Sequence, residues 1–183
     1  MIAVYIVLAV VVLILLYFVA AYNTFIRLRN SIQEAFATMD VYLKKRWDLI
    51  PNLVETVKGY AKHESGVLEN IVTLRNSSYD NMSTSDKINA NTQLSAGLSR
   101  LFAIAENYPD LKASRNFSDL SGELSRIEDE IAQSRKYYNA VVKKMNTKIE
   151  MFPSNIVAGI FGFKRSTMFE AQAGERASVR VEF

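Results

Sequence analysis

The sequence predicts an all-α membrane protein: an N-terminal transmembrane helix, then an antiparallel four-helix bundle of long helices, then a short C-terminal tail. Three observations carry this. The first 26 residues hold no charged side chain, and Ile2 to Ala21 within them is an apolar run of bilayer length. Beyond it, apolar residues recur every seven positions, as a buried helical seam requires. Two polar stretches then cut the helical region into segments with short connections between them. The corresponding divisions are 1–22 for the anchor, 23–152 for the bundle and 153–183 for the tail.

At about 1.5 Å per residue the run IAVYIVLAVVVLILLYFVAA spans roughly 30 Å, the thickness of a hydrocarbon core. A cleaved signal peptide is the competing reading. It needs a basic segment ahead of a shorter apolar core and a small-x-small cleavage site. No Lys or Arg precedes Arg27, and Ala20-Ala21 is a weak site, so a retained anchor is preferred. Tyr17, Phe18 and Tyr22 suit an aromatic interface belt, or simply fill an apolar face. Arg27 and Arg29 follow at once, with Lys44, Lys45 and Arg46 further on. Because Lys and Arg stay in the cytoplasm, a single pass with the N-terminus outside and the bundle inside is expected. The absence of cysteine fits either compartment.

In the bundle one series runs Phe25, Ile32, Met39, Arg46, Leu53, Tyr60, Val67, Leu74, and a second runs Phe36, Leu43, Ile50, Val57, Glu64, Ile71. A later segment repeats the behaviour with Phe117, Leu124, Ile131, Tyr138, Met145, Phe152 and, offset, Leu120, Ile127, Ser134, Val141. Asp48 followed by Pro51 fits a helix cap with proline in the first turn, so one helix would end near Trp47 and the next begin near Leu49. Trp47 would pack under that turn. The rival is one long helix kinked at Pro51, since both series pass the proline in phase. Asn76 to Asn89 and Asn107 to Asn116 read as loops, and Ser118 or Asp119 as the cap of the last long helix. The helices expected are 23–47, 49–78, 86–108 and 117–151. Only Ser178 to Phe183 alternates in the manner of a strand.

Polar residues interrupt the seam at Arg46, Glu64 and Arg75, which would share one stripe. They either snorkel from its edge or form half-buried ion pairs that decide which helices are neighbours, with Arg135 and Asn139 as candidate partners. Asn139 and Asn146, one heptad apart, either hydrogen-bond across the bundle or lie on the surface. These are structural roles.

Sites for chemistry are not found. The 22 basic and 19 acidic residues leave a formal charge of +3, with no run of five or more Lys or Arg, so nucleic acid is not an expected partner. His63 stands alone, which excludes a His pair or a His/Cys zinc site, and HExxH, GxSxG, GxGxxG and Walker-type loops are absent. Glu128 and Glu130 fall on different helix faces and read as solvated charge. No catalytic residue, metal or cofactor is expected.

The segments YNTFIRLRN (Tyr22 to Asn30), KKRWDLIPNLVETVKGYAKHE (Lys44 to Glu64) and YYNAVVKKMNTKIEMFPSNIVAGIFGF (Tyr137 to Phe163) together resemble the LemA family of bacterial membrane proteins. The resemblance covers nearly the whole chain. Where members often show a second Tyr-Asn pair, this chain has Met145-Asn146, which keeps an apolar residue in the seam. The resemblance implies a bacterial inner-membrane anchor, a helical bundle and no established enzymatic activity. Family relatives linked to magnetosome membrane formation imply a part in shaping membranes.

The expected function is therefore a non-enzymatic, oligomeric scaffold at the lipid bilayer, assembling with copies of itself. The alternative is an adaptor or signalling module that recruits a membrane or soluble protein partner. The anchor contains no GxxxG, so self-association would come from the bundle or tail. The tail segment Pro153 to Phe163 is charge-free and too short to cross a bilayer. It either packs over the bundle end as a lid, or lies in the membrane interface with Ile160, Phe161 and Phe163 inserted and Lys164 and Arg165 at the headgroups. Interfacial contact is preferred, because the fourth helix of an up-down bundle ends on the side where the first begins.

Overall fold

The computed structural model describes residues 1–61, 65–75 and 79–169. Among these the chain is helical and has no strand: α1 (Ile2–Tyr60), α2 (Ser65–Arg75), a 3-10 turn (Tyr79–Asn81), α3 (Thr84–Ala105), α4 (Pro109–Ala113), α5 (Arg115–Glu150) and α6 (Ser154–Phe161). The alternating segment 178–183 lies outside the described residues.

The anchor and the first bundle helix are a single element of 59 residues. The break expected between Trp47 and Leu49 is absent, and α1 runs through Pro51. Proline removes the N–H that would serve the Trp47 carbonyl and costs about 3 kcal/mol in a helix interior. Against that, Leu43, Ile50, Leu53, Val54 and Val57 are all buried on both sides of the proline. Each fully buried aliphatic side chain contributes roughly 1.5–3 kcal/mol, so continuity wins. Asp48, expected to cap a new helix, instead pairs on the surface with Lys44 one turn back at 2.9 Å.

The chain divides into two compact units. The first comprises Met1–Thr38 and Ser134–Met168, and the second Met39–Gln133 with Phe169–Phe183. In the first unit the apolar beginning of α1 has no protein cover: every side chain from Met1 to Tyr17 is exposed. An apolar helix of this length and exposure fits a membrane span. Past it, Ala21, Phe25 and Ala35 are buried, as are Tyr138, Val141, Val142 and Met145 of α5.

In the second unit the seam residues Met39, Leu43, Ile50, Leu53 and Val57 of α1 are buried, together with Ile71 of α2, Leu94, Leu98 and Leu101 of α3 and Phe117, Leu124, Ile127 and Ile131 of α5. Tyr60, a seam position by spacing, is exposed at the end of α1. Gly97 lets α2 approach α3 closely, since a Cβ there would stand 3.1 Å from Ile71 Cγ1.

Local signals inside the two expected loops shorten them. Ser83 caps α3: its hydroxyl accepts from the Asp86 N–H at 3.2 Å and donates to the Asp86 carboxylate at 2.7 Å. Pro109 opens α4, where its missing N–H costs nothing, and this turn buries Leu111. α5 begins at Arg115, so Ser118 and Asp119 lie within it and not at its cap.

Candidate functional site

Polar arrangements stand out in each unit. In the second unit α1 places Arg46 one heptad after Met39 and one before Leu53, so a helix that buries both must bury the arginine between them. Arg46 is 1% exposed. Its guanidinium donates to the Glu128 carboxylate at 2.6 Å and the Ser95 hydroxyl at 2.7 Å through one terminal nitrogen. The other donates to the Asn91 side-chain oxygen at 2.6 Å and the Asn91 carbonyl at 3.0 Å. Asn91 and Ser95 are one turn apart on α3, and Asn91 is itself held through its amide to the Lys87 carbonyl at 2.8 Å. Three helices thus meet at one buried cation whose fixed fork suits several acceptors at once.

A second cluster joins α1 and α3 to the 3-10 turn. The Tyr79 hydroxyl donates to Asp40 at 2.6 Å, and the Lys87 ammonium donates to the other Asp40 oxygen at 2.7 Å. That ammonium also stands 4.6 Å from the Tyr79 ring centre, and Trp47 packs its indole on the same ring at 5.2 Å. Burial first, then the hydrogen bond and charge of Asp40, push the Tyr79 hydroxyl well above its ordinary titration range. Trp47 is buried, against the tyrosine of the 3-10 turn and not under a break in α1.

This geometry locks helices in register. The acceptors around Arg46 are engaged within the chain, and among the described residues no group of three or more His, Cys, Asp or Glu is placed to hold a metal. Arg46 was legible as a seam interruption. Its anionic partner was not: Glu128, read as solvated, is half-buried and paired with it. The two residues are 82 positions apart, and no local pattern links them. Glu64 and the Arg75 side chain lie outside the described residues.

In the first unit the expected polar residues fall on α5. Arg135 and Asn139 are half-buried. Asn146 is buried, and it holds the segment after α6: its amide donates to the Ser166 carbonyl at 3.0 Å, and the Ser166 N–H donates back at 2.9 Å. Next to it the Tyr138 hydroxyl donates to the Thr167 carbonyl at 2.9 Å, and burial raises that hydroxyl above its ordinary range. The segment 166–167 is therefore strapped to α5 by side chains reaching its backbone.

α5 stops at Glu150 and α6 starts after Pro153, with the Ser154 hydroxyl donating to the carbonyls of Lys148 and Met151 at 2.7 and 2.9 Å. Val157 and Ala158 of α6 are buried in one cluster with Ala21, Phe25 and Met145. Gly162 then adopts φ +68°, the left-handed cap conformation, and turns the chain back. Phe163 consequently stacks on Phe25 at 4.8 Å, half-buried, and Phe161 rests one edge on Tyr22 at 4.7 Å. Ile160 is exposed, Lys164 is exposed, and Arg165 pairs with Glu150 at 2.7 Å. Of the three apolar residues expected at the interface, Phe163 thus packs half-buried against the core cluster, and Ile160 and Phe161 are exposed.

Comparison with known proteins places the chain in a family. The chain is similar to a protein LemA of Metamycoplasma hominis, 29% identical over 163 residues that cover 88% of this chain and 74% of the relative. It is also similar to the magnetosome protein MamQ 2 of Paramagnetospirillum magneticum and to MamQ of Magnetospirillum gryphiswaldense. Both are 26% identical over 181 residues, covering 84% of this chain and 66% of each relative, so the chain spans just under two thirds of their length. The profile of the LemA family matches residues 35–183, which include the Arg46 node, all of α5 and the terminal helix α6. With most of its length inside that match and an apolar span ahead of it, this chain belongs to the LemA family and is a membrane protein.

Proposed function

We propose that the protein is a non-enzymatic scaffold of the bacterial inner membrane: a single-pass anchor with its helical body in the cytoplasm, assembling with copies of itself at the bilayer and influencing membrane shape. The observation that carries this reading is the way the span is joined to the body. In the first unit no linker follows the span. The same helix continues, and within a turn of Ala21 it is buried against Met145, Val157 and Ala158. A span held by side-chain packing has a fixed direction relative to the helices around it, whereas a span on a flexible linker only tethers. Assembly of such bodies would set the angle and spacing of their spans, which is what shaping a membrane requires.

Two further facts support it. The MamQ relatives are named as magnetosome proteins. Both terminal nitrogens of Arg46 and both Asp40 carboxylate oxygens are engaged by partners within the chain, an arrangement suited to fixing helix register. Self-association is assigned to the body and tail, since the span carries no GxxxG. The test is the size of the full chain extracted in mild detergent, by light scattering and electron microscopy. A large, uniform assembly is expected. A small species of one or two copies would favour an adaptor that recruits another protein.

A further inference from the structure

Beyond Ser154 and the exposed Asn155, α6 carries only apolar residues and glycine, and it is covered on one side only. Ser154, Val157 and Ala158 face the protein and are buried. Ile156 and Ile160, one turn apart on the opposite side, are 46% and 63% exposed. The connection from α5 adds Met151 and Phe152, 57% and 78% exposed. A helix with apolar residues all round belongs in a core or against lipid, whereas the outward face of a helix on a water-soluble surface is polar.

Position decides between possible covers. α6 is seated on Ala21 and Phe25 of α1, and Ala21 is the last residue of the apolar run that begins at Ile2. Four helical residues correspond to about 6 Å along the axis, so α6 sits within roughly that distance of the end of the span. The polar zone flanking a hydrocarbon core is about 5–8 Å deep on each side. The exposed isoleucines therefore lie near the level at which the apolar run of α1 ends. Lys164, exposed just past the Gly162 turn, is a long cationic side chain of the kind that reaches headgroups from such a depth, whereas Arg165 is paired with Glu150.

We infer that the outward face of α6, formed by Ile156 and Ile160 with Met151 and Phe152, is inserted at the headgroup–acyl boundary of the bilayer, while its inward face clamps the end of the span. This joins the two alternatives for the tail: α6 is a lid by its buried face and an interfacial helix by its exposed one. The occupant of the exposed face is lipid. The inference rests on the membrane-span reading of α1, and the test separates the two.

The natural chain has no cysteine, so single labelling sites can be placed without background. Full-length Ile160→Cys, Ile156→Cys, Leu8→Cys and Asp119→Cys would each carry a nitroxide label in vesicles of phosphatidylcholine and phosphatidylglycerol. Helix content by circular dichroism would confirm that each exposed substitution leaves the fold intact. Relaxation by dissolved oxygen is then compared with relaxation by an aqueous nickel chelate. Labels at 160 and 156 are expected to show an oxygen-to-nickel ratio several-fold above that at 119 and below that at 8. Labels at 160 and 156 that match 119, with 8 still in lipid, overturn the inference and leave the span intact. Protection from both relaxants with dipolar broadening between labels also overturns it, since a second copy would then cover the face. An aqueous signal at 8 overturns the span reading itself.

Discussion

The Arg46 guanidinium and the Glu128 carboxylate meet at 2.6 Å, with the arginine buried and the glutamate half-open to solvent. The asymmetry matters energetically. A carboxylate that keeps contact with water avoids most of its own desolvation, while the arginine gains four hydrogen bonds from three residues of two other helices.

Removal of the cation is therefore expected to cost more than removal of its anion. Arg46→Ala leaves a cavity and unpaired acceptors on Asn91 and should lose about 3–5 kcal/mol of stability. Glu128→Gln retains an acceptor for the guanidinium and should lose about 1 kcal/mol. Lys58→Ala, an exposed i,i+3 pair with Glu55, should stay within about 0.5 kcal/mol. Denaturation of the detergent-solubilised chain measures all three. An Arg46→Ala protein as stable as Lys58→Ala would show that the node carries no structural weight.

The strap on α5 gives a site-specific prediction. Asn146→Ala deletes both hydrogen bonds to Ser166, and the Ser166 amide should exchange with solvent much faster while amides in the middle of α5 keep their protection. Loss of a buried amide with two backbone partners should lower stability by about 1–3 kcal/mol. Hydrogen exchange read by mass spectrometry or NMR is the check, and unchanged protection at 166 would contradict the strap.

Tyr79 sets a pH dependence. Its hydroxyl titrates above the ordinary value of 10.0 in the folded state, first because of burial and then because of Asp40. The folded chain therefore holds this proton more tightly than the unfolded chain. That stability is fully present below the unfolded pKa and is lost as pH rises above it, by up to about 1.4 kcal/mol per pH unit for one group. Lys87 and Lys44 face the same ring, so the informative comparison is with Tyr79→Phe. Between pH 9.5 and 11.5 the parent should lose more melting temperature than Tyr79→Phe. Equal losses would show that Tyr79 does not contribute.

Much of this architecture can be read before any coordinates, and the boundary of what can be read has a physical cause. Met39, Leu43, Ile50, Leu53 and Val57, and on α5 Leu124, Ile131, Tyr138 and Met145, are buried where a seven-residue repeat places them. Periodicity along one helix is a local signal, and burial follows it directly. Pro51 shows a local signal that tertiary burial overrules. Glu128 and Asp40 show the converse, since their partners are 82 and 39 or 47 residues away and pairing depends on how helices assemble. Phe163 is a related case: its half-buried contact with Phe25 joins residues far apart in the sequence, and the Gly162 turn precedes it.

The proposed orientation rests on charge. Arg27 and Arg29 lie directly after the apolar run, so a reporter fused after Phe183 should be active in the cytoplasm and inactive outside. Replacing both arginines by Glu should weaken that bias. Activity only on the outer side of the membrane would place the helical body there.

Self-assembly at the bilayer is the central claim, and the most direct measurement counts copies in the membrane without detergent. The chain would carry a C-terminal fluorescent protein, be expressed at its natural level, and be bleached step by step in single spots. Spots with several bleaching steps and a narrow distribution of counts are expected, whereas spots that bleach in a single step would contradict self-assembly.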